Sequence, residues 1–443
     1  MSSPASRPLY SVFSHSVGAN TAGHSLLDKL RAIASAGFDG VELFQDDLDA
    51  FARSEEFQRI LEGKGGAPCP SMTPPDSPPG APKKVVHPMD LATYTRSLSS
   101  ASSSSSSTAF SASSEDGRDD HLRALKDDGS LLVGSDGLPM TFNAHGTCSA
   151  TDAALELAAA RHVRRLCESL GLAIYSLQPL RDFEGWTCPE DRRLAFQRAR
   201  SRFEVMNALG TDLLLICSNN QPAPKTTGDI GCIGRDLAEL ADLATAFGTV
   251  VTIHGGPQPI RVGYEALSWG AHVDLWSQAW EAVQAADRAN LGLILDSFNT
   301  LGRQYADPCS PTGIVETADP YGDLMASLKD IGHVPAERIF FLQIGDARRM
   351  QKPLPPSPND DEPRPARMIW SRGNRLFPGE EHLGAFLPVD EFMTAAVKWA
   401  GYRGPWSIEV FNSSLLDTGA EVPVQHARRA RDGLDKLVES VFK

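Results

Sequence analysis

Leu291–Asn299 reads LGLILDSFN, a short apolar run that ends in an acid followed by Ser-Phe-Asn. Leu291, Leu293, Ile294 and Leu295 leave no polar face, the pattern of a strand buried on both sides, as in a parallel sheet. An acid at the carboxyl end of such a strand stands where open α/β sheets and α/β barrels place their chemistry. Three more runs repeat the design: Arg261–Glu265 (RVGYE), Ile339–Gln343 (IFFLQ) and Trp406–Glu409 (WSIE). Each carries an oxygen donor at or near its end. Buried carboxylates repel one another unless a cation or protons neutralise them. Glu265, Asp296, Gln343 and Glu409 are therefore expected to converge on one divalent cation. Hard oxygen donors without thiolate or histidine suit Mn2+, Mg2+ or Co2+.

The rest of the chain keeps a strand–helix rhythm. Strands are predicted at Tyr10–Ser14, Gly40–Phe44 (bearing Glu42), Leu172–Leu177 and Asp212–Cys217. Apolar residues at helical spacing predict helices over Asp46–Leu61, Ser149–Gly171, Glu190–Gly210, Asp229–Gly248, Val273–Asn290, Asp323–Gly332, Val389–Gly401 and Val422–Phe442. Thr249–Ile253 reads as a short extra strand, and Asp346–Leu383 as a long loop. Eight strands joined by helical crossovers predict a (β/α)8 TIM barrel over residues 8–443. A doubly wound sheet is the alternative, but no strand runs into a GxGxxG turn. Residues 63–137, with PPDSPPGAP and the serine run Ser102–Ser107, are expected to interrupt the barrel as a disordered insertion. Such composition buries too little apolar area to offset the entropy of ordering.

A formal net charge of −14 offers no basic surplus for a nucleic-acid backbone. No apolar run approaches the ~20 residues that span a bilayer, and the N-terminus lacks the pattern of a secretory signal. Seven scattered cysteines with no CxxC pair suit a reducing compartment. The expectation is a cytoplasmic protein.

Two further stretches point to an anionic ligand. In Gln178–Gly185 (QPLRDFEG), Arg181 follows a strand end. In Ser371–Gly379 (SRGNRLFPG), a hydroxyl and guanidiniums can clamp a carboxylate, which the planar arginine fork matches. Together with GFDGVELFQDDL (Gly37–Leu48), YEALSWG (Tyr264–Gly270), LDSFNT (Leu295–Thr300), FLQIGDA (Phe341–Ala347) and WSIEVFN (Trp406–Asn412), these motifs resemble the 3-dehydroshikimate dehydratase family. The fungal quinate-pathway members, within the xylose-isomerase-like barrels, are the most similar. The resemblance implies divalent-metal-dependent dehydration of 3-dehydroshikimate, a small anionic carbocycle, to protocatechuate. It also implies a cation held by two glutamates, an aspartate and a glutamine or histidine, positions that match Glu265, Asp296, Gln343 and Glu409. The family's substrate-facing arginine matches Arg181; its serine and second arginine match Ser371 and Arg375, with Phe377 beside them. Self-association is left open.

One departure bears on the chemistry. Related dehydratases often carry histidine three residues after the metal-binding aspartate, and this chain has Asn299. Neutral asparagine cannot act as a base near pH 7, though it can hydrogen-bond a hydroxyl or water. Proton transfer is then expected from Glu42, His272 or His254, in that order. Two other readings stand beside this one: a metal-dependent sugar or polyol isomerase or epimerase on the same barrel, and a catalytically weakened metabolite-binding relative.

Overall fold

Each of the eight apolar runs extends as a short strand, and the strands close on themselves. A computed structural model of the chain describes residues 7–63, 140–142 and 148–443. The barrel strands are β1 (Tyr10–Phe13), β2 (Gly40–Phe44), β3 (Ala173–Leu180), β4 (Leu213–Cys217), β5 (Arg261–Glu265), β6 (Leu291–Asp296), β7 (Ile339–Ile344) and β8 (Trp406–Ile408). Each pairs in parallel with the next in chain order. β8 closes on β1 through Tyr10–Trp406, Ser11–Ser407 and Val12–Ile408. Helices such as Pro189–Leu209, Ile230–Phe247 and Val422–Phe442 cover the outside. All six residues of β6 are buried, as its unbroken apolar pattern requires.

The register of this barrel places the acids. Across β6 and β7, Asp296 lies beside Gln343; across β4 and β5, Cys217 lies beside Glu265. Side chains of adjacent parallel strands at the same height point the same way, so these groups meet at the carboxyl end of the barrel. Close packing of the strands also explains two glycines. A Cβ at Gly263 would collide with Ile294 Cδ1, and one at Gly270, in the YEALSWG turn, with the Val273 carbonyl.

Several local expectations are corrected. The helix expected over Asp46–Leu61 is two helices, Gln45–Ala52 and Glu55–Leu61, because Ser54 Oγ accepts from Phe57 N and starts a new helix. The helix expected from Ser149 begins at Ala153, since Cys148–Asp152 pairs antiparallel with Met140–Phe142. Thr249–Thr252 and Gly256–Pro259 form a hairpin leading into the amino end of β5. The Asp346–Leu383 loop contains a helix, Ala366–Asn374, and Asp346–Ala347 pairs with Arg375–Leu376. The insertion expected over 63–137 lies, Gly63 apart, outside the described residues. No described helix is long and apolar enough to cross a membrane.

A buried ion pair ties the first turn of the barrel together. Lys29 Nζ lies 2.6 Å from Asp47 Oδ1, both side chains being fully buried, and donates to the Gly18 carbonyl at 2.9 Å. Ser14 Oγ donates to Asp47 Oδ2 at 2.7 Å and accepts from Phe44 N at 3.0 Å, joining β1 to β2. Removing one partner strands a buried charge. Lys29→Met is therefore expected to lower unfolding stability by about 3–5 kcal/mol, and a second change, Asp47→Leu, to recover part of that loss. Denaturant unfolding of both variants checks this; equal stability of Lys29→Met and the unaltered chain would refute it.

Candidate metal centre at the carboxyl ends of the strands

Glu265 ends β5, Asp296 ends β6, Gln343 stands one residue before the end of β7, and Glu409 follows β8 directly. Oxygens of Glu265, Asp296 and Glu409 all lie within 4.8 Å of one another, and the three side chains are buried. Gln343 completes the set from β7. Its amide nitrogen donates to Glu42 Oε2 at 2.8 Å and to Glu409 Oε1 at 3.1 Å. Its carbonyl oxygen, Oε1, is buried without a hydrogen-bond partner.

The charge balance of this cluster is unfavourable as it stands. Glu42, Glu265, Asp296 and Glu409 are buried together, and the guanidinium in direct contact with them is that of Arg375. With Arg375 in contact and Arg181 and Arg372 on the adjoining wall, four carboxylates still leave a surplus of negative charge if all ionise. Burial pushes the Glu265 carboxyl well above its ordinary range, and repulsion from Glu409 and Asp296 adds to it. Burial likewise raises Glu42, with Glu409 contributing, and raises Glu409 to about 7 even though Arg375 opposes the shift. Three converging carboxylates and an orphaned amide oxygen fit a divalent cation, which would relieve both the repulsion and the unsatisfied acceptor.

The cluster is held by donors from every side. Arg375 Nη1 donates to Asp296 Oδ2 at 2.7 Å and to Glu409 Oε2 at 2.8 Å, while its Nε donates to Ser371 Oγ at 3.1 Å. Gln178, two residues before the end of β3, donates to Glu409 Oε1 at 2.9 Å. Ser407 Oγ donates to Glu42 Oε1 at 3.0 Å. Cys217 Sγ lies 3.4 Å from Glu265 Oε2. Asn299 spans two of the acids: its Nδ2 donates to Glu265 Oε1 at 2.6 Å and its backbone N–H to Asp296 Oδ1 at 2.9 Å. The Asn299 carbonyl oxygen is used as well, accepting from Ser268 N at 3.0 Å. Asp296 thus also caps the helix Ser297–Gln304.

Above the carboxylates a small cavity of about 30 Å³ opens, with Glu265, Glu409, Arg181, Arg372, Trp269 and Phe411 among its walls. The turn that presents Arg181 is rigid: Arg198 Nη2 donates to the carbonyls of Arg181 and Asp182, and Gly185 N donates to Asp236. A larger cavity, about 800 Å³, lies at the opposite end of the barrel, lined by Ala173, Asp212, Arg261 and His254. It contains none of the clustered acids.

Not every expected residue reaches the cavity. Glu42 is fully buried beneath it, bonded to Ser407 and Gln343. His254 sits in the hairpin turn at the amino end of β5, on the far side of the barrel. His272 bonds Thr226 Oγ1 at 3.0 Å in an outer loop and does not line the cavity. Phe377 packs in the core with His426 and Arg429. Ser371 is buried against Arg375, and Arg375 faces the acids. Gln178, Cys217, Trp269 and Phe411 had no assigned place at the site, whereas Arg372 belongs to the stretch expected to clamp an anion. Gln178 and Cys217 do share the signal that found the acids, a polar group closing an apolar strand. His15, in a cluster with Phe13, Phe44 and Phe411, is held down to about 4 by burial and stays neutral.

Residues 133–439 match the model of the xylose isomerase-like TIM barrel family, which defines the class of this barrel. A solved xylose isomerase-like TIM barrel/4-hydroxyphenylpyruvate dioxygenase fusion protein superposes with a TM-score of 0.58 at 26% identity, over 98% of this chain and 43% of that one. A 3-dehydroshikimate dehydratase of Neurospora crassa is 36% identical over 288 residues, 65% of this chain and 77% of that protein. One of Pseudomonas aeruginosa is 40% identical over 258 residues, 58% of this chain; the chain spans about a third of that protein's length (32%). The chain belongs to the 3-dehydroshikimate dehydratase family.

Because Asn299 fixes Glu265 without itself being charged, Asn299→Ala is expected to weaken Mn2+ binding by roughly 10–100-fold, as loss of an outer-shell partner does, and also to lower the thermal transition, since the Ser268 N–H loses its acceptor. Calorimetric titration with Mn2+ measures this; unaltered affinity would show that the amide does not hold the ligand.

Proposed function

We propose that this protein dehydrates 3-dehydroshikimate to protocatechuate, a hydro-lyase reaction that uses one divalent cation, Mn2+, Mg2+ or Co2+. The observation that carries the reading is the convergence of Glu265, Asp296 and Glu409 on one another, beneath a cavity walled by guanidiniums. The relatives' shared activity supplies the substrate. The relatives' shared activity also favours this reaction over an isomerase of sugars or polyols.

Glu265, Asp296 and Glu409 would hold the cation through their carboxylates and Gln343 through Oε1. When bound, the cation supplies Lewis acidity toward the ring ketone. The chain's own residues do the rest. A ring proton beside the ketone passes to a base, the neighbouring hydroxyl leaves with a proton as water, and a final proton shift makes the ring aromatic. Neither Glu42, His254 nor His272 reaches the cavity, so we assign the acceptor to Glu265 or Glu409, carboxylates that do line it. Cys217 is no substitute, because burial and Glu265 hold its thiol well above the usual range. Arg375, braced by Ser371, offsets part of the acidic charge and keeps Asp296 facing Glu409. Glu42 acts through Gln343, holding its amide nitrogen so that Oε1 stays free.

Glu265→Ala is expected to lose bound Mn2+ on dialysis and to slow turnover by roughly 10²–10⁴-fold. Chelator-stripped unaltered protein should be inactive and recover with added Mn2+. Ultraviolet absorbance of the aromatic product follows the reaction. Full activity of chelator-treated Glu265→Ala would sink the proposal.

A further inference from the structure

Glu184, in the turn that follows β3, is a buried acid outside the cluster. It is 2% exposed, and its Oε1 accepts from Asn219 N at 2.7 Å and from the Tyr264 hydroxyl at 2.8 Å. Its Oε2 is buried without a hydrogen-bond partner. Among the described residues no guanidinium or ammonium pairs with it. Burial pushes the carboxyl up to about 7, although both donors pull the other way. A buried acid with neutral donors alone is a cost to folding. Proteins keep such groups where a site needs the geometry they enforce.

The two donors belong to different elements. Tyr264 precedes Glu265 on β5, so its ring and the Glu265 carboxyl leave the strand on opposite faces. Asn219 lies in the loop after β4. Its Nδ2 donates to the Glu184 carbonyl at 2.7 Å, and its own carbonyl accepts from Ala271 N at 2.9 Å. One residue earlier, Ser218 N donates to the Glu265 carbonyl at 2.8 Å, and Ser218 Oγ accepts from Leu267 N at 3.0 Å. Glu184 thus ties the turn that presents Arg181 to the strand that presents Glu265 by two routes, one through Tyr264 and one through Asn219. The turn has reason to be tied. Asp182, next to Arg181, sits at φ 49°, a left-handed conformation that side-chain-bearing residues rarely adopt. Its Oδ1 accepts from Asn220 N at 3.0 Å, in the same loop that Glu184 holds.

We propose that Glu184 is a positioning residue, which sets the span between the Arg181 wall of the cavity and the acid at the end of β5. It reaches neither substrate nor metal and acts through Tyr264 and Asn219. Its consequence for turnover rests on the function proposed above. A ligand held at one wall reacts at the other only if the span is right, and small misplacements are expensive in rate.

Glu184→Gln keeps an oxygen acceptor for both donors, and Glu184→Ala removes it. At saturating Mn2+, Glu184→Ala is expected to lower kcat/KM for 3-dehydroshikimate by roughly 10–100-fold, and Glu184→Gln to retain most of the activity. In an Arg181→Ala background the loss from Glu184→Ala should vanish, because no guanidinium is left to misplace. A brace that served stability alone would cost the same in both backgrounds. A crystal structure of Glu184→Ala gives a readout independent of the reaction: the Arg181–Gly185 turn should stand about 1 Å from its place, with the barrel strands unmoved. Should Glu184→Ala fail to fold, Tyr264→Phe, which removes one hydroxyl, carries the same cycle and the same structural comparison with smaller effects. Additive losses, an unchanged kcat/KM or an unmoved turn would overturn the proposal. A displaced turn in a protein whose unaltered form never turns over 3-dehydroshikimate would refute the reaction and leave the positioning role standing.

Discussion

Mutual repulsion among four buried carboxylates sets the terms for this end of the barrel. Glu42, Glu265, Asp296 and Glu409 would each be costly alone in such surroundings, and together they are worse. Most of the polar contacts around them serve to spread or offset that charge. Arg375 bridges two of the acids, Gln343 bonds two, and Asn299 joins two with separate atoms. What these donors leave undone is the remaining negative charge and one amide oxygen. A cation would answer both.

The scaffold makes the repulsion affordable in structural terms. The four candidate ligands come from four consecutive strands, and parallel pairing fixes their relative heights before any side chain is considered. Asp296 and Gln343 are side by side because β6 and β7 are, and Glu409 joins them by following β8. The acids cannot retreat from one another by local movement without disturbing the barrel ladder. A flexible loop carrying the same residues would relax apart and lose the preference for a metal.

Much of this was legible in the sequence, for a definite reason. Parallel strands buried on both faces have an unmistakable apolar run, and an acid at its end breaks the run at the place where the barrel opens. Hence the eight strands and the four oxygen donors could be read before the fold. Features that depend on relative position in space could not. His254 and His272 looked like plausible bases until the hairpin put one beneath the barrel and Thr226 engaged the other. Phe377 was grouped with its sequence neighbours, although the turn after Leu376 sends it into the core. Arg372 and Arg375 are three residues apart, yet one still belongs to a helix while the other has entered a strand that pairs with Asp346–Ala347. That single change of backbone direction separates a side chain facing the acids from one facing the cavity. Asn299 was legible as a departure, but not as a brace between two acids.

Asp296 uses its two oxygens for different masters. One receives the Asn299 backbone N–H at the start of Ser297–Gln304; the other faces Arg375. The start of that helix and the shape of the cluster are thereby wired to the same carboxyl group. Ordering the helix aims the ligand, and anything that draws the ligand toward a metal also stiffens the first helical turn. Metal occupancy should therefore be audible in the backbone: amide exchange at Asn299 and Thr300 becomes a local meter of the site, readable without substrate and without any spectroscopic property of the ion.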